Sequence, residues 1–469
     1  MRYVSTRGAA PALGFEDVLL TGLARDGGLY VPESWPAFTP QDIAGLAGRS
    51  YADVARAVMR PFVGGELSDE ELGTIIDESY ATFSHSAVAP LVQLGPSDWL
   101  LELFHGPTLA FKDVAMQVLA RLMDRTLTRR GRRATIVGAT SGDTGGAAIE
   151  AFRGREAIDI FILFPQGRVS DVQRRQMTTP CEANVHAIAL EGTFDDCQNL
   201  VKALFNDLPL RDRLQLAGVN SINWARLMAQ IVYYFTSAVA LGAPKRPVGF
   251  TVPTGNFGDI FAGYAAARMG LPVARLVIAT NTNDILVRTY ETGRYAPHGV
   301  TATMSPSMDI AISSNFERLL FELVQRRAGR VRDDMESLRA QGSFALRPDE
   351  LALFRGAFGA GRAEEADVLA EIARVKASTG YLLDPHTAVG MFVARQTVRD
   401  PAVPMIALAT AHPAKFPEAV ARAVGHPPPE PERIARQRLL PERCTVLPND
   451  YAAVASFITG RTRAQARTS

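Results

Sequence analysis

Lys112 is the residue whose type and setting most plainly promise covalent chemistry. It stands in Leu101-Glu-Leu-Phe-His-Gly-Pro-Thr-Leu-Ala-Phe-Lys112-Asp113, where an apolar run breaks at Gly106-Pro107 and a helical pattern begins. Val114, Val118, Leu119 and Leu122 share one face of that helix,. A cation in the first turn of a helix opposes the macrodipole, which favours anions there. Together with burial, that end lowers an amine's pKa, and a neutral amine is what forms Schiff bases with carbonyl compounds. The segment by itself also accommodates an ordinary surface lysine.

Two glycine-rich turns could receive anions. In Thr254-Gly255-Asn256-Phe257-Gly258-Asp259 the glycines let backbone amides approach an anion closely, and a following helix start adds partial positive charge,. No Lys-Ser or Lys-Thr follows, as a Walker loop requires, and the full Gly-x-Gly-x-x-Gly of a dinucleotide fold is missing,. Asp259 is an acid in an anion site, and it is expected to cap the helix through its side chain. The second turn, Ala139-Thr-Ser141-Gly142-Asp143-Thr144-Gly-Gly146, offers hydroxyls and glycines suited to a carboxylate,. Ser141 and Thr144 serve equally well as plain helix caps.

Such turns need a strand before them and a helix after. Apolar runs predict strands over 134–139, 158–164, 185–190, 248–253 and 273–279,. Helices are predicted through Ala147 to Ala151, through Cys197 to Leu204 and over 260–269. Two strand–turn–helix systems, each with its own glycine-rich turn, predict an α/β protein with two doubly wound parallel-sheet lobes and a site between them. The first ninety residues alternate short helical patterns with Pro-rich breaks and read as a separate N-terminal domain. The expected division is 1–95, 96–215 and 216–469. The helix-rich stretch 318–376 reads as an insertion, the Pro-rich run from Gly425 as a stiff connector, and the residues after Gly460 as a fraying end.

Composition narrows the function classes. The chain has 469 residues, 47% hydrophobic and 21% charged, with a formal net charge of +1. That charge gives no field to recruit nucleic acid or an anionic membrane. The basic runs at 129–133 and 461–467 read as solvated surface. The stretch 227–244 is mostly apolar but carries Gln230, Thr236 and Ser237, so a buried core helix is expected there instead of a membrane span,. Cys181, Cys197 and Cys444 are scattered, which argues against a disulfide framework and a structural zinc site; no metal is expected,. The first residues lack the apolar core of a signal peptide, and a soluble, cytoplasmic protein is expected.

Taken together the motifs resemble those of the threonine synthase family. Phe104-His-Gly-Pro-Thr-Leu-Ala-Phe-Lys112-Asp113 resembles its lysine motif, Ser141-Gly-Asp-Thr-Gly145 its substrate loop and Gly255-Asn-Phe-Gly-Asp259 its cofactor-phosphate loop. The likeness runs from Tyr3-Val-Ser-Thr-Arg-Gly8 and Gly22-Leu-Ala-Arg-Asp-Gly-Gly-Leu-Tyr-Val-Pro32 through Gln173-Arg-Arg-Gln-Met177, Gly192-Thr-Phe-Asp-Asp196 and Asn220-Ser-Ile-Asn-Trp-Ala-Arg226. It continues with Ser313-Ser-Asn-Phe-Glu-Arg318, Asp384-Pro-His-Thr-Ala-Val-Gly390 and Ala409-Thr-Ala-His-Pro-Ala-Lys-Phe416. The long N-terminal segment is similar to that of the branch found in many bacteria and fungi.

The resemblance implies a fold type II, tryptophan synthase β-like enzyme dependent on pyridoxal 5'-phosphate (PLP). It implies that Lys112 carries the cofactor and shuttles protons, and that Gly255, Asn256, Phe257, Gly258 and Asp259 surround its phosphate. Thr410 then bonds the pyridine nitrogen, a neutral partner where other PLP enzymes use an acid. Ser141, Gly142, Asp143 and Thr144 receive the substrate carboxylate. The implied reaction converts O-phosphohomoserine and water to threonine and phosphate, the last step of threonine biosynthesis. A related phospho-lyase yielding 2-oxobutyrate is the alternative. The substrate phosphate needs its own donors, with Arg174, Arg226 and Lys415 as candidates and Thr108 and Ser314 as hydroxyl helpers; each reads equally as an ion pair or loop hydrogen bond. His105 and His412 are expected to pack. A monomer or homodimer is expected.

Overall fold

Strands buried on both faces read as unbroken apolar runs. Val248–Pro253 and Ile158–Pro165, buried along their whole lengths, lie at the middle of two separate sheets. A computed structural model describes residues 1–219 and 221–464. The larger sheet has six strands in the order Phe358–Arg362, Val273–Thr280, Val248–Pro253, Met405–Ala409, Asp98–Glu102 and Leu91–Gln93. All its neighbours are parallel except the last pair. The second sheet orders Thr445–Pro448, Val185–Glu191, Ile158–Pro165, Ala134–Ala139 and Leu216–Ala217, all parallel. The expected α/β architecture with two parallel-sheet lobes is therefore present.

Three helices join the lobes at the level of the site. The helix Trp224–Ala240 packs against both Lys112–Arg129 and Gly258–Arg268, and most of its side chains are buried. Gly263 permits this approach, because a Cβ there would meet the Tyr234 ring at 2.7 Å. This buried core helix occupies most of the apolar stretch 227–244. Among the described residues no helix is long and apolar enough to cross a membrane. At the amino end Tyr3–Ser5 pairs with Tyr30–Pro32 in an antiparallel ribbon. Thr6 donates to Glu317 at 2.6 Å and Arg7 donates at 2.9 and 3.0 Å, which ties the ribbon to the helix Phe316–Leu323.

The structure redraws three expectations. The stretch 318–376 is not only helical: Phe358–Arg362 within it is the edge strand of the larger sheet. Its two glycines carry no apolar alternation, and its pairing comes from the neighbouring strand. The boundaries at 95/96 and 215/216 do not separate the sheets, since Asp98–Glu102 pairs with Met405–Ala409 and Thr445–Pro448 returns to Val185–Glu191. Finally, the residues just after Gly460 are docked, not frayed. Thr462 Oγ1 lies 2.6 Å from Thr135 Oγ1, and Arg463 donates its amide at 2.7 Å and its Nε at 2.8 Å to the buried carboxylate of Asp159. Residues 465–469 lie outside those described.

Ending the chain at Gly460 strips Asp159 of these donors and leaves a buried carboxylate under-bonded. The truncated protein should lose about 1–3 kcal/mol in urea-induced unfolding, and unchanged stability would show that the docked end contributes nothing.

Candidate active site

The carboxyl ends of the parallel strands face one cleft, the usual ligand position in such sheets. Lys112 is the first residue of the helix Lys112–Arg129 and is buried. The break before it is tight: a Cβ at Gly106 would collide with Asp113 at 2.4 Å. Asp113 accepts the Thr108 amide and hydroxyl, both at 2.7 Å. The Phe111 amide donates to the Thr410 carbonyl at 2.8 Å and the His412 amide to the Leu109 carbonyl at 3.0 Å. The lysine segment is thus laced to the end of the strand Met405–Ala409.

The Lys112 ammonium donates to Ser307 Oγ at 3.2 Å and lies 3.7 Å from Asp143 Oδ2. Burial pulls its pKa down to about 8, with Asp143 opposing and Lys415 and Arg226 assisting. Asp143 also pairs with Lys415 at 2.8 Å and accepts from Gln173 at 3.0 Å. Burial alone would raise its pKa, but the two lysines hold it well below the usual carboxylate range. Asp143 is therefore a counter-ion standing between two cations. Its charge would repel a substrate carboxylate, so any such grip belongs to its neighbours. Ser141 and Thr144 are half-buried beside it, and Gly142, at φ +148°, has no room for a Cβ because Gln173 fills the space. Thr140 Oγ1 accepts the amides of Gly142 and Gly145, so Thr140 supports this turn where Ser141 or Thr144 were the expected caps.

The turn after Val248–Pro253 is a bare helix start. Phe257, in the left-handed region at φ +62°, sits at the N-cap of Gly258–Arg268 and no side chain caps that end. Asp259 does not cap it, contrary to expectation. Its Oδ1 accepts from Tyr233 and, at 3.0 Å, from Tyr234, both on the neighbouring buried helix, and burial raises its pKa to about 6. The acid is thereby turned away from the anion site. The Gly255 Cα faces Ser307 and Met308, and a Cβ there would lie 2.9 Å from the Ser307 carbonyl. The Gly255 and Asn256 carbonyls accept from Ser313 and Asn315 at 2.6 and 3.0 Å.

The candidate donors for a further anion separate cleanly. Arg174 is tied to Asp171 and Glu442 at the surface. Lys415 is fully buried and commits its ammonium to the Thr108 carbonyl, Gln176 and Asp143. Arg226, 5% exposed, has no carboxylate in ion-pair range among the described residues; it donates to the Val219 carbonyl at 3.2 Å, and its Nε is unpartnered. Burial lowers its pKa to about 10. The Thr108 hydroxyl is taken by Asp113, whereas Ser314 lies 3.3 Å from Asn256 Oδ1 and 3.4 Å from Ser221. His105 bonds Glu102 at 2.7 Å, and His412 packs edge-on against Phe104. Asn220 lies outside the described residues.

Sequence reasoning missed Ser307 and did not interpret the Asp384 motif. The Ser307 amide donates to His386 Nε2 at 3.3 Å, and His386 Nδ1 lies 2.9 Å from Asp384 Oδ1. Thr410, whose hydroxyl has no hydrogen-bond partner among the described residues, donates its amide to Thr387 Oγ1 at 3.3 Å. A buried amine of low pKa, a glycine cradle at an uncapped helix start and a free hydroxyl at a strand end fit a cofactor carrying an aldehyde, a phosphate and a ring nitrogen. The chemistry of the donor set fits PLP.

Comparison with known proteins agrees. The model of PLP-dependent enzymes matches residues 87–405, flanked by threonine synthase N-terminal and C-terminal models at 2–80 and 387–458. The threonine synthase of Pseudomonas aeruginosa is 54% identical over 460 residues, 98% of each chain. The chain belongs to the threonine synthase family. Among solved structures, the PLP-bound threonine synthase of Brucella melitensis superposes with a TM-score of 0.97 at 59% identity, covering 99% of this chain and 100% of that one. The yeast threonine synthase gives 0.94 at 39% identity over 98% of each chain. Family membership makes the protein a PLP-dependent lyase.

Because only the neutral amine attacks a carbonyl, the rate at which cofactor-free protein recaptures PLP should rise with pH and level off above about 8. Competitive acylation of Lys112, read by mass spectrometry, should show the same midpoint, well below the 10.5 of an ordinary lysine. A midpoint at the ordinary value would contradict the burial that sets it.

Proposed function

We propose that Lys112 holds PLP covalently, with the backbone of Gly255 to Asp259 around its phosphate and Thr410 at its ring nitrogen, and that Arg226 anchors the phosphate of the substrate. The protein is a PLP-dependent enzyme that converts O-phosphohomoserine and water to threonine and phosphate. The observation that carries this reading is the full-length membership of the threonine synthase family together with an intact buried lysine. The 2-oxobutyrate-forming alternative is not favoured.

When bound, PLP supplies an electron sink conjugated to the substrate's amine. The protein's own part is positioning and proton handling. Once the substrate amine displaces Lys112, the freed amine serves as the base and moves protons at the substrate's α-, β- and γ-carbons. Asp143 keeps that amine oriented, while its tighter pair with Lys415 prevents it from claiming the proton. Ser141 and Thr144, at the start of the helix Asp143–Phe152, receive the substrate carboxylate. Arg226 receives the phosphate that later leaves, with the Ser314 hydroxyl as a helper. A buried guanidinium without an acid gains a charge-assisted partner when that dianion arrives. Thr410 offers a neutral hydroxyl, so the ring is a moderate sink and each proton transfer depends on where Lys112 is held.

Two measurements test the assignment. Arg226→Met should raise KM for O-phosphohomoserine about 10- to 100-fold, from a lost charged contact of roughly 1.5–3 kcal/mol, and leave PLP binding intact; an unmoved KM would remove Arg226 from the site. Supplying O-phosphohomoserine should release phosphate and threonine in equal amounts, while free homoserine gives neither. Phosphate accompanied by 2-oxobutyrate would establish the alternative.

A further inference from the structure

We propose that Asp384 is a positioning residue that sets both ends of the cofactor site from one carboxylate: the Lys112 amine through His386 and Ser307, and the Thr410 hydroxyl through Thr387. Asp384 is the N-cap of the helix Pro385–Gln396 and is 1% exposed. Its two oxygens divide the work. Oδ1 accepts the His386 amide at 2.9 Å and lies 2.9 Å from His386 Nδ1; Oδ2 accepts the Thr387 amide at 3.2 Å and also the Thr387 hydroxyl.

Each branch then leads to a functional group. Because His386 Nδ1 donates to Asp384, Nε2 is left as the acceptor, and it takes the Ser307 amide at 3.3 Å. Ser307 in turn offers Oγ to the Lys112 ammonium at 3.2 Å. On the other branch Thr387 has spent its proton on Asp384, so its oxygen is free to accept the Thr410 amide at 3.3 Å. The Ser307 loop is braced from its far side. Asp309 accepts from Asn281, Asn283 and Thr303, at 2.7 to 2.9 Å, and holds the loop against Gly255. A helix cap alone would need only the bonds from Asp384 to the first-turn amides. The imidazole and hydroxyl bonds are additional, and both continue to the site.

The charged groups that act on Lys112 include Asp143, Lys415, Arg226, Asp113 and Asp259, and the variants below leave all five unchanged. In cofactor-free protein, Ser307→Ala removes an acceptor of the ammonium form, so the pH midpoint for acylating Lys112 should fall. His386→Phe keeps the Asp384 charge and the ring against Phe416 but cuts the branch, and its midpoint should fall in the same direction. In the holoenzyme, Asp384→Ser keeps a good helix cap yet cannot reach both partners. It should change the visible circular dichroism of bound PLP and lower kcat about 10- to 100-fold with KM within about twofold, the pattern of misplaced catalytic groups.

A wild-type Lys112 midpoint in His386→Phe, or wild-type dichroism and kcat in Asp384→Ser, overturns the proposal. If Asp384→Ser does not fold, Thr387→Val carries the second arm and its wild-type dichroism overturns it equally. The Thr410 arm rests on the proposed role of Thr410. Thr410→Ala with unaltered dichroism and kcat would refute that role alone, while the Lys112 midpoint still decides the other arm.

Discussion

An amine that must attack a carbonyl has to lose its proton near neutral pH, yet it has to sit in a pocket that excludes water. The protein meets both demands by burying Lys112 beside a carboxylate that already has a nearer cation. Asp143 lies 2.8 Å from Lys415 and 3.7 Å from Lys112. Asp143 is shared with Lys415, so desolvation of Lys112 outweighs the pull of this carboxylate and frees the amine,. Were Lys415 absent, Asp143 would bind Lys112 alone and hold its proton. Arg226 is a further buried cation of this region, with no carboxylate in ion-pair range among the described residues. A buried guanidinium without a charged partner is costly when the pocket is empty and suited to an anion. The reaction brings three: the cofactor phosphate, the substrate carboxylate and the substrate phosphate.

The sequence disclosed this arrangement unevenly, for physical reasons. Long apolar strands such as 158–164 and 248–253 were legible because burial on both faces leaves no alternation to misread. Phe358–Arg362 was not, since an edge strand rich in glycine has no local signature and is defined by its neighbour. Lys112 and the two glycine turns were legible as helix starts, because the apolar run before each breaks at glycine. What Asp143 and Asp259 bond to was not legible, because their partners lie far along the chain: Lys415 for the first, Tyr233 and Tyr234 for the second. Ser307 carried no signal at all. Its role comes from Lys112 and His386, 195 and 79 residues away.

The helix ends show why local rules failed where they did. Several scaffold helices obey them: Ser50, Ser68, Ser170, Thr193 and Asp450 each cap the helix that follows with their own side chains. The three helices that open onto the cleft do not. Phe111, Gly142 and Phe257 stand at their N-caps and offer no side-chain bond. A helix start carries amides without intrahelical partners, and an internal cap would consume what an anion needs. The starts at Asp143 and Gly258 carry no cap from their own N-cap residues, with Thr140 taking the amides of Gly142 and Gly145. The start at Lys112 holds a cation where the dipole disfavours one, which adds to the desolvation that frees its proton. The helix Pro385–Gln396 reaches the same site with Asp384 firmly capping it. It has no anion to receive, and its cap is spent on orienting His386 and Thr387. At this site the uncapped starts leave amides open to an anion, whereas the capped start spends its carboxylate on holding its own first turn,.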